Sequence, residues 1–229
     1  MKNLFYKEIK LSIHPLCYVF VVGFALMGFI PSYPPTVSYI YTIASYTFLF
    51  LGANKAQTTN DLFYTLNLPI VRKDVVKARM FSIGFLQLLT TIPLFLCLLG
   101  RELFVTSAII ADGGETLQAI DVYQLPVLIG IITLSFTIID SIYVPWFYKT
   151  GKSIVGPTLV AALVGTLLLI GLPVGLAYIP GFIDIVTMGS PNANYYVQFG
   201  AMGFGIVCYI ISRIVITKSA TKNLEKLDY

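Results

Sequence analysis

The chain has 229 residues, of which 57% are hydrophobic and only 11% are charged, and its formal net charge is +4. Because a soluble globular domain carries about 25% charged residues, so few charges could not cover a water-soluble fold of this length. The composition therefore excludes a soluble enzyme or binding domain and indicates an all-α polytopic membrane protein. Its positive charge comes from Lys and Arg beside the apolar segments, and we expect no nucleic acid among its partners.

An amphipathic helix is predicted over residues 1–14. Its apolar face carries Leu4, Phe5, Ile9 and Ile13, and the opposite face carries Asn3, Lys7, Lys10 and His14. A helix with a basic face and an aromatic and aliphatic face lies in the plane of the membrane interface. Pro15 then marks the turn into the first span.

Six apolar segments follow, and each approaches the length of about 20 residues that crosses a bilayer. They lie at about 15–31, 36–54, 77–99, 124–147, 155–179 and 196–217. Residues 218–229 form a polar tail, and the whole chain, 1–229, is predicted to be a single transmembrane domain. The sequence shows no internal repeat, which argues against carriers built from two inverted halves.

The Lys and Arg residues predict which way the spans run. With both termini in the cytoplasm, every Lys and Arg except Arg101 falls in a cytoplasmic segment or at its edge. This asymmetry over short loops is the positive-inside pattern of membrane proteins. On the outer side, the loop at about 100–123 is acidic without the spacing of an EF-hand. The second outer loop, at about 180–195, is apolar enough to form a short re-entrant helix.

The cytoplasmic passage 60–79, NDLFYTLNLPIVRKDVVKAR, lies between the second and third spans. Asn60 is suited to cap a helix, and Asp61 places a carboxylate in its first turn, where the helix dipole favours it. The apolar side chains at helical spacing are Leu62, Phe63 and Leu66. Pro69 ends this short surface helix because it has no N–H to donate. A second helix is predicted to start near Asp74 and to run into the membrane.

Two interpretations of this passage stay open. The first is an ordinary loop that a basic ramp holds near anionic lipid. The ramp consists of Arg72, Lys73, Lys77 and Arg79. The second interpretation is a docking helix that presents Phe63 and Tyr64 to a soluble partner.

The sequence lacks the common motifs of catalysis and metal binding. It contains one histidine, His14, and no GxSxG, HExxH or GxxxxGK[ST] pattern. An intramembrane hydrolase, a histidine metal site or a P-loop ATPase would need such groups. We therefore expect no catalytic, cofactor-binding or metal-binding residues in this chain. The three cysteines lie in apolar segments, where they resemble small buried hydrophobic side chains.

Asp140 is the ionisable residue that lies clearly inside a predicted span. A charged side chain costs about 2.5–3.5 kcal/mol at the centre of a span, so an intramembrane carboxylate is a candidate functional residue. The alternative is a structural role near the cytoplasmic headgroups, with bonds to Ser141, Tyr143 or a neighbouring helix. Both interpretations stay open.

Glycine and proline mark two further features of the spans. Pro173, with Gly171 and Gly175 beside it, predicts a kink or hinge in the fifth span. Small residues in the fifth and sixth spans predict faces where helices approach closely. These residues are Gly165, Gly200, Gly203 and Gly205.

Two passages resemble a known family, the ABC-2 type permeases, which are the membrane subunits of type V ABC exporters. The segment 61–79, DLFYTLNLPIVRKDVVKAR, resembles the "sLPv-R-ivV-aR" passage of small bacterial ABC-2 permeases that export bacteriocins, lantibiotics and phenol-soluble modulins. The segment 144–152, VPWFYKTGK, resembles the "lP-yFkfG" turn after the fourth span. The predicted order of interfacial helix, six spans and cytoplasmic loop is also similar.

The resemblance implies a division of labour between subunits. Two permease copies, identical or related, would pair around a central pathway, and each would dock a separate cytoplasmic ATPase that holds ATP and Mg²⁺. Residues 61–68 would be the coupling helix, and its contact residues would be Asp61, Leu62, Phe63, Tyr64 and Leu66. Residues 1–14 would be the elbow helix, and the loop near 180–192 the outer re-entrant element. The family has no catalytic residues in the permease; the acidic outer loop is a departure from its pattern.

The expected function is ATP-driven export of small hydrophobic or amphipathic peptides across a bacterial plasma membrane, in a Gram-positive cell. Export of lipids or hydrophobic drugs is an alternative, since the aromatic-rich spans suit any apolar cargo. A non-transporting membrane anchor or immunity protein, and a membrane-embedded enzyme built around Asp140, are alternatives of other classes.

Overall fold

The structure is a computed structural model that describes residues 2–12, 15–30, 65–67, 69–101, 104, 125–150, 155–182, 185 and 194–226. Its helices are α1 (Lys2–Lys7), continued by a π-helical segment (Glu8–Ser12), α2 (Pro15–Leu26) with a 3₁₀ turn (Met27–Phe29), α3 (Arg72–Gly100), α4 (Leu125–Thr150), α5 (Val155–Ala177) and α6 (Tyr195–Glu225). The described ranges contain no β-strand.

Among the described residues, three helices are long and apolar enough to cross a membrane, which supports a membrane protein. They are Arg72–Gly100, Pro126–Lys149 and Tyr195–Glu225. A fourth span results if the bent pair Asn3–Lys10 and Pro15–Phe29 is counted as one.

The six predicted spans match this picture in part. The third, fourth and sixth coincide with α3, α4 and α6, and the fifth with α5, in which Val155–Leu168 is a shorter apolar helix. The second span, 36–54, lies outside the described residues. The number six therefore stays a prediction.

The N-terminal helix changes winding and direction before the first span. Residues 2–12 are helical, as their amphipathic pattern predicts, but the second half is π-helical. The helical stretches Asn3–Lys10 and Pro15–Phe29 meet at 73°. Across this bend the Tyr18 hydroxyl donates to the carbonyl oxygen of Ile9 at 2.9 Å. The Phe5 ring meets Phe81 of α3 edge to face, with centroids 6.4 Å apart, so the N-terminal helix lies against α3.

Helices α4 and α6 approach closely at two glycines. A Cβ added to Gly130 would lie 2.7 Å from the carbonyl oxygen of Ala201, and one added to Gly205 would lie 2.6 Å from the carbonyl oxygen of Gly130. The absence of side chains lets these backbones touch, as small residues commonly allow in membrane helices. Of the predicted small positions in the last span, Gly205 makes this contact, whereas Gly200 and Gly203 face open space.

In α5, the predicted hinge region is continuous helix. The helix runs from Val155 to Ala177 and includes Gly171, Pro173 and Gly175. A Cβ on either glycine would meet nothing within 4 Å. The hinge stays a prediction. Farther toward the N-terminus of α5, Gly165 packs against Ile139 of α4.

After α5 the chain turns where the outer re-entrant element is predicted. Gly181 has φ +76°, a conformation that glycine adopts without strain. The amide of Ile185 donates to the carbonyl of Gly181, and the amide of Asn194 donates to the carbonyl of Ile185, at 3.1 and 3.0 Å. The Asn194 side chain caps α6 by accepting from the amide of Tyr196 at 3.0 Å. Residues 186–193 lie outside the described part, and entry into the membrane stays a prediction.

Candidate functional site

The predicted contact residues for a partner are described only in part. Asp61, Leu62, Phe63 and Tyr64 lie outside the described residues. Leu66 is half-buried and packs against the hydrophobic core.

Asp140 lies in the interior of the helix bundle and contacts two other helices. The residue is 1% exposed. Its Oδ2 atom accepts a hydrogen bond from Nε2 of Gln87 in α3 at 2.8 Å and lies 3.5 Å from Nη2 of Arg213 in α6. Asp140 therefore bonds to neighbouring helices, as the structural alternative expects, and both interpretations of its role stay open. Ser141 and Tyr143 were the predicted partners of Asp140 on its own helix. In the structure, Ser141 donates to the carbonyl of Thr137, and Tyr143 stacks on Phe147.

Further contacts extend the site into what we call the Asp140 network, consisting of Gln87, Asp140, Tyr209 and Arg213. The Tyr209 hydroxyl donates to Oε1 of Gln87 at 2.6 Å, and Nη2 of Arg213 donates to the Tyr209 hydroxyl at 2.6 Å and to Oε1 of Gln87. The guanidinium also lies 4.9 Å from the centre of the Tyr209 ring. Nη1 of Arg213 donates to the carbonyl of Met80 at 2.9 Å. The network thus joins α3, α4 and α6.

Two features of the sequence allow the network to form: the spacing of Tyr209 and Arg213 in α6, and the small residue Gly84 in α3. Tyr209 and Arg213 are one turn apart in α6 and therefore share a face. Gly84 stands opposite them in α3, where an added Cβ would lie 3.3 Å from Nη2 of Arg213. A larger residue at this position would press on the guanidinium. The Asp140 carboxylate and the Arg213 guanidinium compensate each other's charge, which lowers the cost of both in a nonpolar environment.

Sequence reasoning identified Asp140 but missed its partners. Arg213 was assigned to the flanking charges of the last span, and Gln87 and Tyr209 drew no attention. The available signals were a glutamine inside an apolar span and a tyrosine one turn before an arginine. Neither signal says which helices are neighbours.

A second polar cluster, which we call the N-terminal joint, consists of Lys7, Glu8, Thr65 and Arg79. Arg79 and Glu8 are 8% and 4% exposed, and Nη1 of Arg79 lies 2.5 Å from Oε2 of Glu8. Lys7 Nζ donates to the hydroxyl of Thr65, which is itself buried. The joint links the N-terminal helix to α3 and to the residues just before α3.

The joint corrects the prediction of a basic ramp. Arg72 and Lys73 are exposed and Lys77 is half-buried, but Arg79 is buried against Glu8. Arg72 has a different partner: its Nη1 donates to the carbonyls of Leu224 and Glu225, at 3.3 and 3.2 Å. A cation suits these last carbonyls of α6 because the C-terminal end of a helix is partially negative. The start of α3 and the end of α6 therefore lie at one end of the bundle.

The described residues contain no group of three or more His, Cys, Asp or Glu side chains that could hold a metal ion. Comparisons with protein-family models, curated proteins and solved structures find no match to this chain. The resemblance to ABC-2 permeases therefore rests on the two motifs and the predicted order of elements.

Proposed function

We propose that the chain is the membrane subunit of an ATP-driven exporter, which pairs with a second permease copy and with cytoplasmic ATPase subunits to move small hydrophobic or amphipathic peptides out of the cell. Three apolar helices able to cross a membrane support the membrane part of this proposal. The motif at 61–79 supports the partner ATPase.

The observation that carries the proposal is the N-terminal joint. Thr65 lies among the predicted contact residues, between Tyr64 and Leu66, and it is 1% exposed. Its hydroxyl accepts from Lys7 of α1, and the next residue, Leu66, packs on the core. A displacement at Thr65 is therefore passed to the N-terminal helix and to the core.

Three connections can carry the displacement from the N-terminal helix to the spans. The pair of Glu8 and Arg79 makes the N-terminal helix and α3 move together, because separating two buried charges is costly. Arg72 holds the beginning of α3 to the end of α6. The Asp140 network then connects the same two helices and α4 deeper in the bundle. In this proposal Asp140 is a positioning residue that keeps the three helices in register.

The test is co-purification in mild detergent from cells that express the chain with its neighbouring genes, followed by an ATPase assay of the complex. The wild type is expected to recover an ATP-hydrolysing partner. Phe63→Ala is expected to lose it, because an aromatic anchor is removed from the contact. Asn67→Ala is the matched control, since Asn67 is exposed and lies just beyond the predicted contact residues.

Two outcomes would contradict the proposal: recovery of the wild-type chain without hydrolysis, or equal recovery of the partner by Phe63→Ala and the wild type. The first would favour a non-transporting anchor or immunity protein. Cargo is then tested in vesicles loaded with ATP and the ATPase, where an amphipathic peptide is expected to compete with a lipid or drug analogue for transport.

The Asp140 network favours a second candidate, a membrane-embedded enzyme, because it brings several polar side chains together inside the bundle. In such an enzyme Asp140 would be the group that exchanges a proton. The two candidates differ in Asp140→Asn, which would abolish catalysis in an enzyme but leave ATPase recruitment intact in a permease.

A further inference from the structure

A cavity of about 430 Å³ opens at the end of the bundle where α4 and α6 finish. The described residues that line it are Ile142, Pro145, Trp146, Lys149 and Asn223. This volume falls within the range of about 300–1,000 Å³ that small-molecule pockets occupy. The cavity is separate from both the Asp140 network and the N-terminal joint, neither of which contributes a lining residue.

The wall contributed by α4 changes from apolar to cationic along one helical face. Ile142, Trp146 and Lys149 follow one another at spacings of four and three residues, so they lie on the same side of α4. Lys149 is exposed, and none of the described residues forms an ion pair with it. The cavity therefore offers a hydrophobic wall that ends in an ammonium group.

Two contacts connect the helices around this cavity. Nδ2 of Asn223 in α6 donates to the carbonyl of Pro145 in α4 at 2.9 Å, which fixes the two helices at the cavity. A Cβ added to Gly156 of α5 would lie 3.8 Å from the Trp146 ring, so a third helix supports that ring. A preformed site loses less free energy on binding than one that must first be ordered.

The position of the cavity indicates the depth of the lipid headgroups. Lys149 is the last residue of the apolar span Pro126–Lys149. Tryptophan is enriched at membrane–water interfaces, where its ring is partly apolar and its N–H is polar. Further cations, Arg72 and Lys222, belong to the same end of the bundle.

We propose that this cavity binds one anionic phospholipid from the leaflet at the basic end of the bundle. The phosphate lies against the Lys149 ammonium, and an acyl chain follows the wall of Ile142 and Trp146. Basic pockets between transmembrane helices bind anionic headgroups in this way. A free phosphate would satisfy Lys149 but would make no contact with the apolar wall, so the structure favours a lipid. This inference does not rest on the proposed export function.

The test uses Trp146 as a reporter, because it is the only tryptophan in the chain. The full chain is reconstituted in phosphatidylcholine vesicles, and phosphatidylglycerol with brominated acyl chains, which quench nearby tryptophan fluorescence, is added. Brominated phosphatidylglycerol is expected to quench at a lower mole fraction than brominated phosphatidylcholine. Lys149→Gln is expected to raise the mole fraction for half-maximal quenching about fivefold, the factor for one interfacial cation.

Lys218→Gln is the matched control, since Lys218 is an exposed lysine of α6 that does not line the cavity. It is expected to leave quenching unchanged. Equal quenching by the two lipids, or equal effects of the two substitutions, would overturn the proposal. Abolition of quenching by inorganic phosphate would assign the site to a free anion instead. The comparison of the two lipids on the wild type needs no variant to fold.

Discussion

The N-terminal joint and the Asp140 network both bury an ion pair, but the pairs are held in different ways. In the joint, Arg79 and Glu8 meet directly at 2.5 Å, with one partner on α3 and the other on the π-helical segment. In the network, Arg213 and Asp140 are 3.5 Å apart, and Gln87 bonds to both. The difference suggests that the joint depends on both of its charges, whereas the network can redistribute its hydrogen bonds when one charge is lost.

The largest expected effect comes from breaking the joint. Arg79→Ala leaves the Glu8 carboxylate buried without its partner, which is expected to cost about 3–5 kcal/mol of unfolding free energy. Thermal unfolding in detergent, followed by circular dichroism, measures the change. Arg72→Ala removes an exposed arginine from the same helix and is expected to cost no more than about 1 kcal/mol.

A double variant tells pairing apart from packing at the joint. Glu8→Leu combined with Arg79→Met replaces both charges with apolar groups and is expected to restore most of the lost stability. If Arg79→Ala unfolds at the same temperature as Arg72→Ala, the joint contributes no more than an exposed contact does.

Neutralising the network is expected to have a smaller effect. Asp140→Asn keeps an oxygen that can accept from Gln87 but removes the charge opposite Arg213, and the expected cost is about 1–3 kcal/mol. Tyr209 and Gln87 still bond to the guanidinium, which limits the loss. The same unfolding experiment measures it, with Ser141→Ala, at an exposed neighbouring position, as the control. A loss as large as that of Arg79→Ala would contradict the distributed network.

The smallest expected effect on stability lies at the other contact of the joint. Thr65→Val keeps the shape of the side chain but removes the oxygen that accepts from Lys7, at a cost of about 0.5–1.5 kcal/mol. If the proposed function is right, this change lowers the ATPase activity of the complex while the partner still binds. Thr91→Val removes a hydroxyl that bonds within α3, so it should match the stability loss without the loss of activity. Equal ATPase activity of the complexes with Thr65→Val and Thr91→Val would show that the joint has no part in coupling the permease to the ATPase.

Hydropathy predicted the positions of the main helices well, but their ends less well. The last apolar segment was predicted to end at 217, whereas α6 continues to Glu225. The extension is polar. Arg72 bonds to its last carbonyls and its own Asn223 bonds to the carbonyl of Pro145, and no local sequence pattern reveals these tertiary contacts. The start of α3 was predicted near Asp74 and lies at Arg72, since Asp74 occupies the first turn.

The partners of the buried charges could not be predicted, for a physical reason. Periodicity tells which residues share a face of one helix, but pairing of Asp140 with Arg213 depends on how α4 and α6 pack. Glu8 was assigned to neither face of the N-terminal helix, so its burial against Arg79 was not predicted. The π-helical winding of Glu8–Ser12 also rotates the residues after Lys7 relative to an ideal α-helix, which a 3.6-residue period does not anticipate.

The length of α6 has a mechanical consequence. Its 31 residues span about 46 Å at 1.5 Å per residue, whereas the hydrocarbon core of a bilayer is about 30 Å thick. The stretch from the close contact at Gly205 to Glu225 is about 30 Å long. It is bound to α4 through Asp140 and Pro145 and to α3 through Arg72. α6 therefore joins contacts in the interior of the bundle to contacts at its basic end in one continuous helix.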